Sequence, residues 1–227
     1  MSTLTRIEVS PGGVRLGHGV LAARRMRGPG PVVRVGLVGT EALLLAGDHV
    51  RLEVVVRGCA VEVVEIGGTV AYDMRDGATT SARWDVDVRL ADGARLDWRA
   101  EPFVVATGAD VRRTTTVELD GDSAATLRER VVLGRTGETG GRLTTSTHVT
   151  RDGVPLLVET LDLVRETAPG WAVLGAARCL DTVTALGHRL PDGPDVLQLA
   201  GQGSVRRWLG VDLHASVLDR EPVTAGA

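Results

Sequence analysis

Apolar and polar residues alternate along most of this chain, and turn-forming dipeptides break the alternation at short intervals. Val50, Leu52, Val54 and Val56 share one parity while Arg51 and Glu53 take the other, and Val86, Val88 and Leu90 oppose Asp85, Asp87 and Arg89 in the same way. Successive side chains of a strand point to opposite faces, so this two-residue period predicts half-buried β-strands. Asp92-Gly93 closes the second run, and Leu96 and Trp98 then alternate with Arg95, Asp97 and Arg99. Because Asp-Gly readily adopts positive φ, this reads as a β-hairpin. Asp120-Gly121 and Asp152-Gly153 punctuate the later chain similarly, among four further segments rich in Val, Thr and Leu at 111–119, 127–133, 143–150 and 156–163. The expected body is mainly β.

Helical signals are few. Ala42 to Ala46 favours a short helical turn on propensity alone. Toward the C-terminus, Ser204 to Leu209 leads into a short helix around Asp212 to Leu218, with Asp212 as N-cap and Leu213, Val217 and Leu218 as an apolar stripe. Glu221 to Ala227 reads as a frayed tail. There is no fixed-period repeat and no linker rich in Gly, Pro or Ser, so residues 1–227 are expected to form one domain.

Composition narrows the function classes. The 227 residues carry 26 basic and 29 acidic side chains, a net charge of −3 that gives no strong field for nucleic acid. Every basic residue is Arg, which excludes a Walker-type phosphate-loop lysine, a pyridoxal Schiff base and a lysine nucleophile. Four Trp, Tyr72 and Phe103 are the whole aromatic set, too few for a base-stacking platform. No apolar run approaches the roughly 18 residues of a membrane span. The N-terminal residues lack the apolar core of a secretory signal, and only Cys59 and Cys179 occur, so a cytoplasmic protein without a disulfide framework is expected.

The usual catalytic constellations are absent. There is no His-Glu-x-x-His, Cys-x-x-Cys or Gly-x-Ser-x-Gly; the nearest approach, Gly121-Asp122-Ser123-Ala124-Ala125, falls in a strand-to-strand turn. A hydrolase would have to use Ser123 or Ser204 with a distant His and Asp. The five histidines are scattered, none at ligand spacing to another. Carboxylates are better placed. Glu53, Glu62 and Glu65 occur in adjacent strands joined by a short turn, and Glu129, Glu138 and Glu159 occur in later ones. Either they line a solvated outer face, or some face a hydrated interior and hold a divalent cation weakly.

Several motifs, taken in order, resemble the urease accessory protein UreD family, called UreH in some organisms. Ala46-Gly47-Asp48-His49-Val50-Arg51-Leu52 stands where the family has Gly-Gly-Asp and an alternating strand, and Arg57-Gly58-Cys59-Ala60 where it has Pro-Gly-Ala. Thr69-Val70-Ala71-Tyr72-Asp73 is similar to its Thr-Lys-Val-Tyr-Arg, Asp92 to Trp98 to its Gly-Ala-x-Leu-x-Trp, and Arg99 to Phe103 to its Leu-Pro-Glu-Pro stretch. Gly108-Ala109, Arg112, then Glu129 with Leu133-Gly134-Arg135-Thr136-Gly137-Glu138, and finally Arg151 to Leu156, complete the order. Glu41 to Leu45 replaces the family's His-Pro-Pro segment, and Val70 and Asp73 replace the Lys and Arg of its tyrosine motif.

The resemblance implies an extended, helically stacked β-architecture with few short helices, mostly toward the C-terminus. It also implies a non-catalytic maturation factor that docks on apo-urease and, with UreF and the GTPase UreG, helps deliver nickel to the urease active site. The alternative is a β-rich binding module unrelated to urease. No tightly bound cofactor is expected, only nickel in transit. The candidate passage-lining residues are Asp48, Glu101, Glu129 and Glu138, with Glu62 beside them. Each has another reading: Asp48 as a turn cap, Glu101 as an arginine's partner, Glu129 and Glu138 as solvated surface.

Overall fold

The computed structural model describes residues 4–28, 30–164 and 174–220. In chain order its strands are β1 (Leu4–Ser10), β2 (Gly13–Gly17), β3 (Leu21–Met26), β4 (Val33–Gly39), β5 (His49–Arg57), β6 (Ala60–Glu65), β7 (Thr69–Ala71), β8 (Ala82–Ala91), β9 (Arg95–Arg99), β10 (Phe103–Val105), β11 (Asp110–Leu119), β12 (Ala124–Leu133), β13 (Arg142–Arg151), β14 (Val154–Val164), β15 (Cys179–Leu186), β16 (Val196–Gln198) and β17 (Gly203–Gly210). One sheet runs β14-β13-β11-β8-β5-β1-β2 and the other β16-β17-β15-β12-β9-β6-β4-β3, with β7 and β10 pairing beside the end of β12.

Within each sheet the central strands are parallel and the flanks antiparallel. The parallel order arises because the chain changes sheet at each short turn: β5 leads to β6, β8 to β9 and β11 to β12, and the next coil stacks on the last. This is the helically stacked architecture implied by the family resemblance. The hairpin expected at Asp92-Gly93 is therefore corrected: β8 and β9 lie in different sheets and do not pair. At Asp152-Gly153 a true hairpin does form, joining β13 to β14. Backbone φ is nearly the same at both turns, 58° and 70° at Asp92 and Gly93 and 50° and 75° at Asp152 and Gly153.

The alternation read from the sequence holds. Val50, Leu52, Val54 and Val56 are buried on one face of β5, as are Val86, Val88 and Leu90 on β8. Stacked register turns these faces into continuous rows: Ile7, Val54, Val88, Val117 and Val149 are successive partners across five strands, and all are fully buried. Each such side chain contributes about 1.5–3 kcal/mol of burial. The outward parity carries charge. Glu53 accepts from Arg6 at 2.6 Å and from Arg89 at 2.9 Å on the outer face of the first sheet.

Two helical expectations change. Residues 42–45 are irregular rather than helical, because their backbone joins the sheet end, with Leu44 N–H donating to Val70 O and Leu44 O accepting from Tyr72 N–H. The segment 204–209 is strand, part of β17, and beyond it lie two short 3-10 turns, Leu213–Ala215 and Val217–Arg220. Asp212 caps the first as expected, accepting from His214 N–H at 3.1 Å. Of the expected stripe, Leu218 is buried while Val217 is exposed. The expected tail at 221–227 lies outside the described residues.

Candidate functional site: a polar interior between the sheets

Following the inward rows from the early coils to the late ones exposes a change of chemistry. In the first sheet, Leu52 and Val86 are succeeded by Thr115, Thr147 and Glu159, and Val50 and Trp84 by Arg113 and Thr145. In the second sheet, Glu129, Thr182 and Arg207 are successive partners. The two polar halves face each other. Hydrocarbon fills the sandwich at its N-terminal coils, and hydroxyls, carboxylates and guanidinium groups line it at the C-terminal ones.

Arg113 occupies the centre of this region. Its side chain is nearly buried, its Nη2 meets Glu129 Oε1 at 2.8 Å, and its guanidinium lies 5.5 Å from the Phe103 ring centroid, within cation–π range. It lines two cavities of about 20 Å³ each, and Glu129 lines both as well. Each has room for about one water molecule. On the far side Arg207 pairs with Glu159. Arg113 Nε, Thr115 Oγ1 and Arg207 Nε have no hydrogen-bond partner among the described residues, although each is shielded from bulk solvent. Buried donors of this kind are normally satisfied by internal water, which cavities of this size accommodate.

Glu65 borders the same interior. Its Oε1 accepts from Trp98 Nε1 at 3.3 Å and its Oε2 from Glu101 N–H at 3.1 Å. Burial pushes its carboxyl up to about 6 from 4.5, against the opposing pull of Arg113 and these two hydrogen bonds. The folded state thus holds this proton more tightly than the unfolded chain does. Below about pH 4.5 both states are protonated and nothing is lost; as pH rises through 6 the folded state bears the full cost of an ionised buried carboxylate, at most about 2 kcal/mol. Glu65→Gln is therefore expected to stabilise the fold by about 1–2 kcal/mol at pH 8 and by little at pH 4.5. Urea unfolding at the two pH values measures this, and an equal effect at both would refute the assignment.

The other candidate carboxylates do not gather around Glu129. Asp48 caps a turn, with Oδ2 accepting from Leu45 N–H at 2.7 Å. Glu62 lies on the opposite face of β6 from Glu65, on the outside of the second sheet, ion-paired to Arg34. Glu101 sits in a bulge, where Ala100–Pro102 oppose Glu129 and Arg130, and it pairs with Arg130 at 3.2 Å. Glu138 is in the loop between β12 and β13, not in a strand as expected. It clips that loop together, accepting from Arg135 N–H at 3.0 Å, Arg135 Nε at 2.7 Å and Thr107 N–H at 3.2 Å. These hydrogen bonds, the Arg135 side chain first, hold its carboxyl down at about 2. Among the described residues, no three His, Cys, Asp or Glu converge on a point that could hold a metal ion.

Neither candidate nucleophile is available. Ser123 is fully buried at the β11–β12 turn, and the Ser204 hydroxyl is buried, donating to Gln198 Oε1 at 2.6 Å and accepting from Leu190 N–H at 3.0 Å. The described hydrogen bonds bring no histidine to either. Cys179 is buried and Cys59 half-buried, both as free thiols.

Arg113 and Arg207 do not stand out in the sequence as site residues, and Glu159 does so only as one carboxylate among several, yet a signal exists for the first. Arg113 and Thr115 share parity with Val111, Val117 and Leu119, which places a cation on an apolar face. Glu129 likewise shares parity with Leu127, Val131 and Leu133, so the interior rather than a solvated face is legible for it.

Residues 18–222 match the family model described as UreD urease accessory protein. Among curated proteins, the chain is 44% identical to urease accessory protein UreD 1 of Streptomyces griseus, over 94% of this chain and 81% of that protein. It is 32% identical to UreD 2 of Saccharopolyspora erythraea over 78% of this chain, and 39% identical to UreD of Streptomyces coelicolor over 68%. Of these last two relatives the chain covers 63% and 60% of the length.

Proposed function

This chain belongs to the urease accessory protein UreD family, and we propose on that footing that it is a non-catalytic scaffold. In this reading it docks on apo-urease together with UreF and the GTPase UreG, in the cytoplasm, and nickel crosses its interior on the way to the urease active site. The observation that carries the conduit part is the polar lane between the sheets, centred on Glu129. A dry channel would strip the ion of its water at great cost. A lane with two water-sized cavities and hydroxyls from both sheets keeps that cost low. Two carboxylates, Glu129 and Glu159, each already paired with an arginine, suit a cargo that must be released, because nickel is held firmly by imidazole and thiolate, which the lane lacks.

Glu129 thereby becomes the leading passage residue, and Asp48, Glu62, Glu101 and Glu138, each committed to a partner elsewhere, become contributors to local structure. The test is co-expression of Glu129→Gln with UreF, UreG and urease. The variant keeps one acceptor for Arg113 but loses the anionic charge. Nickel content of the matured urease is expected to fall about tenfold while the accessory complex still co-purifies. Glu62→Gln and Glu138→Gln are expected to change nickel content only as far as they change complex yield. Normal nickel loading by Glu129→Gln would leave a docking scaffold without a conduit.

A further inference from the structure

At the end of the sandwich nearest the early coils lies a half-open cleft of about 290 Å³, distinct from the small cavities around Glu129. The end of β4 and the irregular residues 41–43 form one side, and the end of β6 with the Gly67-Gly68 lip forms the other. Leu37, Leu43 and Val70 line it, and at its mouth Val38, Ile66 and Tyr72 expose 41%, 55% and 37% of their surface. Aliphatic and aromatic side chains exposed together at one concavity are more often recognition surface than accident.

Three further features narrow what the cleft accepts. Trp84 lines it at 4% exposure, and its indole Nε1–H has no acceptor among the described residues. That nitrogen is closed off from solvent, so the residue offers the cleft apolar indole surface rather than a donor. The lining includes two carboxylates, Glu41 and Glu65, and no cation, although the chain holds 26 arginines. Glu41 is exposed and makes no ion pair among the described residues. Finally, the Gly67-Gly68 lip has no side chains, and open space surrounds Gly67, so another main chain can approach it closely.

We infer that this cleft is a docking site for an extended segment of a partner protein bearing an aliphatic side chain next to an arginine or lysine. The aliphatic group enters between Leu37, Ile66 and Val70, and the cation meets Glu41 and Glu65. The volume stands at the lower end of ligand clefts, roughly 300–1000 Å³, which suits a side chain and its peptide unit rather than a nucleotide. This assignment is independent of whether nickel passes Glu129.

A photo-crosslinking experiment tests it. The full chain, kept soluble as a fusion, is irradiated with the peptide Gly-X-Arg-Leu-Gly, where X is diazirine-leucine, and in parallel with versions carrying Gln or Glu in place of Arg. The Arg peptide is expected to crosslink within residues 37–43 and 65–72, with about threefold to tenfold higher yield than the Glu peptide. Glu41→Gln, a surface change that leaves the fold alone, should remove most of that preference. Equal yields for the Arg and Glu peptides, or crosslinks mapping elsewhere, would overturn the assignment. So would abolition of the Arg crosslink by nickel chloride in the wild type but not in Glu41→Gln, which would make the cleft a cation site instead.

Discussion

Replacing Asp181 by Ala is expected to destabilise the protein by about 3–5 kcal/mol, the largest loss of any single carboxylate among the described residues. Asp181 is fully buried on the outer face of β15, beneath the C-terminal 3-10 turns. Its Oδ1 accepts from Arg128 Nε at 3.0 Å, while its Oδ2 accepts from Arg128 Nη2 at 2.6 Å and from the Ser216 hydroxyl at 2.6 Å. Ser216 in turn accepts from Leu218 N–H, so this one carboxylate ties the terminal turns to the sheet. Truncation takes this fully buried counter-charge from the mostly buried Arg128 guanidinium, and removing one member of a buried pair costs far more than the pair contributes net. With a urea m-value of about 2–3 kcal/mol/M, the midpoint should drop by more than about 1 M. The double variant Asp181→Leu with Arg128→Met should recover most of the loss, because it removes both charges and keeps the volume. A double variant no better than Asp181→Ala would place the stabilisation in the Ser216 contact rather than in the ion pair.

Gly187→Ala should cost about 2–5 kcal/mol by a different route. Gly187 follows β15 with φ of 77°, a left-handed conformation that charges an L-residue about 1–2 kcal/mol. A Cβ there would also collide with Ser123 O and stand 2.9 Å from Ala124 Cα, which are backbone atoms of the β11–β12 turn with nowhere to go. Overpacking of this kind adds about 1–3 kcal/mol. Gly121 is the control: its φ is 56°, but open space surrounds its Cβ position. Gly121→Ala should therefore cost only about 1–2 kcal/mol. Thermal or urea unfolding of the two variants separates strain from collision, and equal losses would refute the collision.

Both predictions concern places where chain segments distant in sequence meet, and those are the places the sequence alone leaves open. Strand identity was legible: the two-residue period set which side of β5, β8, β11 and β12 is buried, because a strand with one apolar face has a single economical orientation toward a core. The same parity put Arg113 and Glu129 inside, although only Glu129 stood out, and for its chemistry rather than its parity. The absence of lysine and of catalytic spacings was equally plain, and the ordered motifs pointed to the UreD family, whose model residues 18–222 match.

What a turn does with its strands was not legible. Asp92-Gly93 and Asp152-Gly153 have the same residues and nearly the same φ values, yet one carries the chain from sheet to sheet and the other folds it back within a sheet. A two-residue turn reverses direction locally; which partner the next strand finds is a matter of tertiary pairing. β9 stacks on β6, laid down one coil before, whereas β14 pairs back on β13 and leaves the corresponding edge, that of β12, to β15. The sequence by itself thus determined strand faces and family. The stacking of coils decided which carboxylates meet, gathering Glu129, Glu159 and their arginines between the sheets while leaving Glu62 outside, because cross-strand neighbours are set by register over long separations, not by spacing along the chain.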